Sequence, residues 1–230
     1  MRVENEKEIF EAGYPGIVPF LMEEYKGEVS LEVYSGIKDI AEDFLSRYEG
    51  RYFVKDALSF VARSLDDYLA SHGYRRDTVG ETLYYYQYEM RDAAGLDLSL
   101  VTDNTHRLTR ALLKKVKKNL TTFSLDELLD KRLSAFAVIE DGAIVAIATV
   151  NERLERGGVA EITVETSPRY RGRGYALSTV TALCGYLLDK GAIVAYCCRN
   201  THTKSNKVAR HVGFARVGRF YAVSAYRIHE

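Results

Sequence analysis

The sequence feature that most constrains the fold is a change of periodicity between residues 159 and 190. Residues 161–166 alternate in polarity, which is typical of a β-strand. Pro168 cannot donate a hydrogen bond to a ladder, so the strand is expected to end before it. Gly172 and Gly174 then allow a tight turn, and the apolar residues of 176–187 recur at helical spacing. This segment therefore predicts a strand, a glycine turn and a helix.

The predicted turn carries positive charge. Arg169, Arg171 and Arg173 lie in and beside it. The N-terminus of a helix presents unpaired N–H groups, and such a terminus binds anions, phosphate groups above all. The sequence therefore predicts a phosphate or pyrophosphate site here. A glycine turn that only connects the strand to the helix is the alternative interpretation.

Two motifs in this half of the chain resemble the GNAT superfamily of N-acyltransferases. The run Arg169-Tyr-Arg-Gly-Arg-Gly174 fits the family's coenzyme A-binding pattern Arg/Gln-x-x-Gly-x-Gly/Ala. The run Ser205-Asn-Lys-Val-Ala-Arg-His-Val-Gly-Phe214 resembles the family's Ser-x-x-Val-Ala…Gly-Phe segment. The resemblance covers roughly residues 134–227. It implies an α/β fold of the α+β type: a GNAT-like mixed, mainly antiparallel sheet flanked by helices, here with an N-terminal helical extension.

Local patterns give the predicted elements around these motifs. Asp141-Gly142 between two alternating apolar runs predicts a hairpin over residues 135–151. Further helices are predicted over 37–48, 54–72, 103–118, 124–133, 173–190 and 203–212, and strands over 82–91, 159–167, 193–198 and 215–228. The parallel pair is expected to be 159–167 with 193–198. We predict two domains: an N-terminal, mostly helical region over residues 1–100 and a GNAT-like acyltransferase domain over 101–230.

The resemblance implies that the protein is an N-acetyltransferase that uses acetyl-CoA as its co-substrate. It is expected to move an acetyl (acyl) group directly to a primary amine of a small-molecule or peptide acceptor, with the help of a general base. A non-catalytic acyl-CoA-binding or sensor module of the same fold is the alternative. The family acylates antibiotics, polyamines, amino acids and protein amines, so the resemblance does not select one acceptor.

The residues expected to bind the coenzyme fall into three groups. Backbone groups of the strand at Val164 and Thr166 can pair with an extended ligand as an added strand does. The turn and the start of the helix are expected to bind the phosphates, and the segment after the next strand to line the coenzyme groove. The residues of these last two groups are Arg169, Arg171, Gly172, Arg173, Gly174, Tyr175 and Ala176, and then Asn200 and Ser205.

The predicted catalytic residues are two glutamates and one tyrosine. Glu161 and Glu165 share a strand face, and a carboxylate in that place can take a proton from the attacking amine, directly or through water. Exposed strand charges without a catalytic role are the alternative. Many family members have a tyrosine acid at the position of Ala209, so Tyr221 in the last strand is the substitute candidate. A packed strand aromatic is the other interpretation of Tyr221.

A dinucleotide-binding enzyme is a competing hypothesis. Gly172-x-Gly174 lies between a strand and a helix, and Arg199 follows the next strand, where a ribose phosphate can bind. However, Leu177 stands where the third glycine of that motif is expected. The fewer than sixty residues that follow are also too few for the rest of a doubly wound sheet.

Composition limits the remaining classes. Thirty-two basic and 32 acidic residues balance, which does not favour nucleic acid or an acidic membrane as a partner. Three cysteines without metal-type spacing suggest a reducing compartment and no metal site. The first residues are charged and lack an apolar signal core. We therefore expect a cytoplasmic protein, a monomer or homodimer, that binds no metal, nucleic acid or membrane.

Overall fold

The computed structural model describes residues 1–79, 81–118, 120, 124–153 and 158–228. The chain divides into two compact units. The first consists of Met1–Tyr86, Arg199–Thr201 and Val217–Glu230, and the second of Gln87–Cys198 and His202–Arg216.

The described chain alternates between short helices and strands. Its strands are β1 (Arg2–Glu4), β2 (Gly16–Tyr25), β3 (Glu28–Tyr34), β4 (Tyr74–Arg76), β5 (Tyr85–Met90), β6 (Thr105–Arg107), β7 (Lys117–Lys118), β8 (Ala135–Glu140), β9 (Ala143–Val150), β10 (Val159–Thr166), β11 (Ile193–Arg199) and β12 (Ala215–Arg227). Its α-helices are α1 (Lys7–Ala12), α2 (Lys38–Arg47), α3 (Lys55–Ser64), α4 (Asp66–Ser71), α5 (Arg110–Leu113), α6 (Leu125–Asp130), α7 (Tyr175–Leu188) and α8 (Thr203–Val212).

The first unit is a mixed sheet with helices packed on it. β2 pairs antiparallel with β3 and with β12, β1 runs parallel to β3, and β4 pairs antiparallel with β12. Apolar side chains of β2, β3 and β12 form one core with those of α2, α3 and α4. At its centre the ring of Phe20 lies 5.6 Å from that of Phe44 and 6.4 Å from that of Tyr221.

The second unit has a mainly antiparallel sheet. β8 and β9 form a hairpin, β10 pairs antiparallel with β9, and β6 pairs antiparallel with β8. β10 and β11 are parallel, as is the short pair of β7 and β9. All eight residues of β9 are buried, and α7 packs against β8, β9 and β10. The unit thus has the mixed, mainly antiparallel sheet flanked by helices that the sequence predicted.

Most predicted elements of the second unit are confirmed. The hairpin turns at Asp141 and Gly142, whose φ angles are both positive, as a tight two-residue turn requires. The predicted helix over residues 103–118 is wrong. Its first part is β6, which pairs with β8, and the hydroxyl of Thr109 caps the short α5 by accepting from the N–H of Leu112 at 3.2 Å.

The N-terminal region contains its predicted helices as α2, α3 and α4, but also the strands β2 and β3, which the sequence analysis did not predict. Pro19 lies in β2, although proline cannot donate a hydrogen bond to a ladder. The structure accommodates it because pairing with β3 begins only at Phe20 and the register with β12 shifts between Val223 and Ala225. The division into residues 1–100 and 101–230 stays a prediction, because compact units are defined by contacts and domains by independent folding.

A buried carboxylate ties the N-terminus of the first unit to its helices. Glu6 accepts hydrogen bonds from the N–H and the hydroxyl of Ser35, both at 2.8 Å, and from the N–H of Gly36 and the hydroxyl of Tyr68, both at 2.9 Å. Burial alone raises the pKa of this carboxyl, but the hydrogen bonds outweigh burial and lower the pKa from 4.5 to about 2. The ionised form of Glu6 therefore stabilises the folded chain.

We predict that Glu6→Gln lowers the free energy of unfolding at pH 7 by roughly 3 kcal/mol, the value that corresponds to this pKa shift. Because the pKa is lower in the folded state, the stabilisation by Glu6 is fully present above pH 4.5 and decreases as the pH falls towards 2. Urea unfolding at pH 7 and near pH 3 measures both effects. The exposed Glu11→Gln is the control, and an equal loss of stability in both variants would contradict the prediction.

Candidate functional site

Strand β10 changes its pairing halfway along its length. It pairs with β11 over residues 159–162, and the last pair in this register is Ile162–Tyr196. Its antiparallel pairing with β9 covers residues 162–166. Within the described residues, β10 therefore leaves β11 at Ile162 and continues beside β9 alone.

Two hydrogen bonds fix the direction of the backbone groups in β10. The N–H of Asn151 donates to the carbonyl of Glu161 at 2.9 Å, and the N–H of Ser167 donates to the carbonyl of Val145 at 2.8 Å. Odd-numbered residues of β10 therefore bond towards β9, and even-numbered residues point to the other side. The N–H and carbonyl of Val164 consequently face the opening where the β11 ladder has ended.

Thr166 points its backbone groups in the same direction as Val164. Its carbonyl accepts from Nε of Arg171 at 3.1 Å. Its hydroxyl oxygen Oγ1 is buried and has no hydrogen-bond partner in the described part of the chain. A buried hydroxyl without a partner is costly, and an extended ligand in this opening can provide one.

The turn after β10 is built for close approach by a ligand. Residues Pro168–Tyr170 form a 3₁₀ turn, after which Gly172 and Gly174 both have φ of +81°. Residues other than glycine rarely adopt that backbone conformation. A Cβ added at either glycine would meet no atom of the described chain within 4 Å, so the space above both glycines is open.

Helix α7 begins at this turn with unpaired backbone groups. Gly174 is its N-cap and has no side chain to accept from the first-turn N–H groups. The N–H groups of Tyr175 and Ala176 are therefore directed into the open space, where the helix dipole adds positive potential. An anion is the ligand that this helix start favours.

The three arginines of the motif are exposed, and two of them have defined contacts. Nε of Arg171 bonds the carbonyl of Thr166, which closes the turn. The guanidinium of Arg173 lies 5.1 Å from the ring centroid of Tyr170. The predicted coenzyme-binding residues from Val164 to Ala176 thus lie together in one continuous segment of the second unit.

The two candidate bases lie on the odd-numbered face of β10. Glu161 is exposed and Glu165 is half-buried. Four residues along a strand correspond to about 13 Å, so the two carboxylates serve different places along the opening. Thr163 between them donates its hydroxyl to Oδ1 of Asn151 at 2.6 Å.

Tyr221 lies in the first unit and is buried there. Its hydroxyl donates to the carbonyl of Glu81 at 2.8 Å and lies 3.3 Å from the carbonyl of Leu58. Burial raises the pKa of this hydroxyl above its usual value of 10. These contacts favour the interpretation of Tyr221 as a packed strand aromatic rather than as a proton donor.

The last two candidates follow β11. The N–H of Asn200 donates to the carbonyl of Tyr84 at 2.8 Å, and its side-chain oxygen Oδ1 is buried without a partner among the described residues. Asn200 belongs to the first unit. Ser205 belongs to the second, where it hydrogen-bonds Tyr196; burial nevertheless raises the pKa of that tyrosine to about 12.

Two partners of the start of α7, Glu140 and Asn104, were not predicted from the sequence. The hydroxyl of Tyr175 donates to Oε2 of Glu140 at 2.8 Å, and Nδ2 of Asn104 donates to the same oxygen at 2.9 Å. No local pattern marks these partners, because they lie 35 and 36 residues apart in the chain. Only the folding of the second unit brings them together.

A family of known proteins matches the part of the chain that contains the candidate site. The family model described as GNAT acetyltransferase matches residues 111–223, which include β8 to α8 and the turn between β10 and α7. The mixed sheet flanked by helices is the fold of the GNAT-family structure compared below. Over residues 111–223 the chain is thus similar to the GNAT acetyltransferases.

Solved structures resemble this chain at low identity. A GNAT-family acetyltransferase of Novosphingobium aromaticivorans is 17% identical with a TM-score of 0.52, and the alignment covers 67% of this chain and 68% of that one. A GCN5-related N-acetyltransferase-like protein of Streptococcus suis is 16% identical with a TM-score of 0.48, covering 73% and 68%. At such identities the first match supports the fold. No curated protein matches the sequence.

Among the described residues no helix is both long and apolar enough to cross a bilayer. Nor does the described part of the chain bring three or more His, Cys, Asp or Glu side chains together in a group that could hold a metal ion.

We predict that Tyr221→Phe lowers the free energy of unfolding by about 1–2 kcal/mol, because it leaves the half-buried carbonyl of Glu81 without its donor. Because that hydroxyl is already bonded to the backbone, turnover per folded molecule should be unchanged. Urea unfolding and a steady-state assay measure the two quantities. A large loss of turnover with little loss of stability would instead support Tyr221 as the acid.

Proposed function

We propose that this protein is an N-acetyltransferase that transfers the acetyl group of acetyl-CoA directly to a primary amine. The observation that carries this proposal is the end of the β10–β11 ladder at Ile162, next to a glycine turn that starts a helix. The end of the ladder suits an extended, amide-containing arm of a ligand, and the helix start suits a diphosphate. Acetyl-CoA contains both groups, because its extended pantetheine arm is joined directly to its diphosphate.

The backbone of residues 171–176 would hold the diphosphate. Its N–H groups need no side chain for this, and the open space above Gly172 and Gly174 allows close approach. The arm would then run back along β10, where the N–H and carbonyl of Val164 can pair with its amides. The thioester consequently lies beside the middle of the strand, where an N–H can polarise its carbonyl.

The reaction requires one proton to leave the amine. The amine nitrogen forms a bond to the carbonyl carbon, the carbon–sulfur bond breaks, and the proton passes to a base while the thiolate takes up another. Glu165 is the preferred base, because it is nearer than Glu161 to the segment that receives the thioester. The donor to the thiolate stays open, since Ala209 is buried and carries no titratable group.

The acceptor is proposed to be a small molecule or peptide with a primary amine. Incubation of acetyl-CoA with a panel of amines, read by mass, tests the proposal and identifies the acceptor class. Acetylated product together with free CoA supports it. Tight CoA binding without any turnover would contradict catalysis and favour a sensor module.

We predict that Gly174→Val weakens CoA binding by at least about tenfold. The new side chain fills the open space above the turn, and each lost charge-assisted phosphate contact costs about 1.5–3 kcal/mol. Calorimetry with CoA measures the affinity.

Gly191→Val is the matched control, because Gly191 also has a positive φ of +74° and an open surrounding within the described chain. Both variants should lose similar stability. Unchanged CoA affinity in a folded Gly174→Val variant would exclude the turn as the phosphate site.

We predict that Glu165→Gln lowers turnover by about 10²–10⁴-fold, the usual value of general-base catalysis, and leaves the affinity for CoA nearly unchanged. The loss should shrink at high pH, where more of the amine is already deprotonated in solution. Rates at several pH values are measured for this variant, for Glu161→Gln and for the control Glu127→Gln, which lies on α6. Full activity of both β10 variants at neutral pH would show that neither carboxylate is the base.

A further inference from the structure

A buried hydroxyl on α7 attaches the start of this helix to the segment that leads into β6. Ser178 is fully buried, and its Oγ accepts from the N–H of Thr102 at 2.9 Å. The same oxygen lies 2.5 Å from Oγ1 of Thr105 and 3.1 Å from Oγ1 of Thr102. Thr102, Thr105 and Ser178 therefore form a hydroxyl cluster beside the first turn of α7.

The directions of the hydrogen bonds around the cluster follow from one carboxylate. An ionised carboxylate can only accept, so the amide of Asn104 must direct Nδ2 towards Oε2 of Glu140, which lies 2.9 Å away. Oδ1 of Asn104 then faces the hydroxyl of Thr102, which donates to it at 2.6 Å. Because the proton of Thr102 is used in that bond, the hydroxyl protons of Ser178 and Thr105 serve the contacts within the cluster.

The backbone of Ser178 connects the cluster to the glycine turn. Its N–H donates to the carbonyl of Gly174 at 3.0 Å, which closes the first turn of α7. The residue that holds the second glycine of the turn is thus itself held by the hydroxyl cluster. Tyr175 attaches the same turn of the helix to β8, because its hydroxyl donates to Oε2 of Glu140 at 2.8 Å. The first turn of α7 is therefore fixed at two points.

We propose that Ser178 is a positioning residue for the phosphate site, which anchors the first turn of α7 and so holds the N–H groups of Tyr175 and Ala176 in place for the diphosphate. The inference rests on the proposed function, since it assumes that the glycine turn binds the phosphates of CoA. Helix ends fray, and a ligand that must order such an end loses part of its binding free energy. An anchored first turn avoids this loss, so CoA binds more tightly.

Removal of the serine hydroxyl tests the anchor. Ser178→Ala deletes the central hydroxyl of the cluster and leaves the N–H of residue 178 in place. It should raise the Kd for CoA, and the KM for acetyl-CoA, by about three- to tenfold with kcat unchanged. Amide hydrogen exchange at residue 178 should be faster, because this N–H donates to Gly174. Pantetheine, which has no diphosphate, should bind equally well to the variant and to the unaltered protein.

Thr105→Val and Thr105→Ser form a matched pair that tests the same anchor if Ser178→Ala does not fold. Valine keeps the shape of threonine without its hydroxyl, so Thr105→Val should raise the Kd for CoA in the same direction as Ser178→Ala. Serine keeps the hydroxyl, so Thr105→Ser should retain the affinity of the unaltered protein. Thr105→Val should cost less affinity in the Ser178→Ala background than alone, because the shared hydrogen bond is already lost.

The control is Thr181→Val, which removes another fully buried hydroxyl from α7. Oγ1 of Thr181 has no hydrogen-bond partner in the described part of the chain, so the Kd for CoA should stay unchanged.

Two results would overturn the inference. If Ser178→Ala and Thr105→Val lower the Tm but bind CoA as tightly as the unaltered protein, or weaken CoA and pantetheine equally, Ser178 has only a structural role. Failure of the unaltered protein to bind CoA would instead refute the proposed function itself.

Discussion

The site depends on the alternation of backbone direction along a single strand. Once the bonds of Glu161 and Ser167 are made towards β9, the groups of Val164 must point the other way. Up to Ile162, backbone groups that point in this direction form hydrogen bonds with β11. Where β11 departs, the same groups face an opening beside β10. The opening therefore exposes strong hydrogen-bonding groups without any special side chain.

The polar chemistry of the two units differs in kind. In the first unit, Glu6 is a buried charge whose lowered pKa shows that the fold has been built around its ionised form. At the glycine turn, positive potential comes from helix N–H groups and exposed arginines instead. A surface charge is weak by itself in water. The contact of the Arg173 guanidinium with the ring of Tyr170 matters for this reason, because it orders a charge that water would otherwise leave mobile.

Local patterns predicted those parts of the fold that local physics decides. The alternation in 161–166, the Asp141-Gly142 turn and the glycine-started helix all depend on neighbours in sequence, and the structure contains each of them. The strand at Thr105–Arg107 was missed because its partner β8 lies some thirty residues later, and pairing with it outweighs helical spacing. The resemblance to the GNAT superfamily was predicted from two motifs, and the family model that matches residues 111–223 supports it. The assigned roles of individual site residues stay predictions.

Some features of the site could not be predicted from the sequence, because they depend on contacts between residues that are far apart in the chain. Glu140 follows an apolar strand and precedes a turn, so its sequence neighbours suggest an ordinary surface charge. Its partners Tyr175 and Asn104 can be recognised only in the folded chain, where β8 and α7 pack together.

Backbone groups and side chains therefore have different roles at the proposed site. In the proposed function, coenzyme recognition rests mainly on backbone geometry, which a short glycine motif encodes locally. The side chains that contact the start of α7, such as Glu140, come from separate elements and can change without altering that motif. A family pattern of a few residues can therefore suggest the coenzyme class without predicting the side chains that support the site.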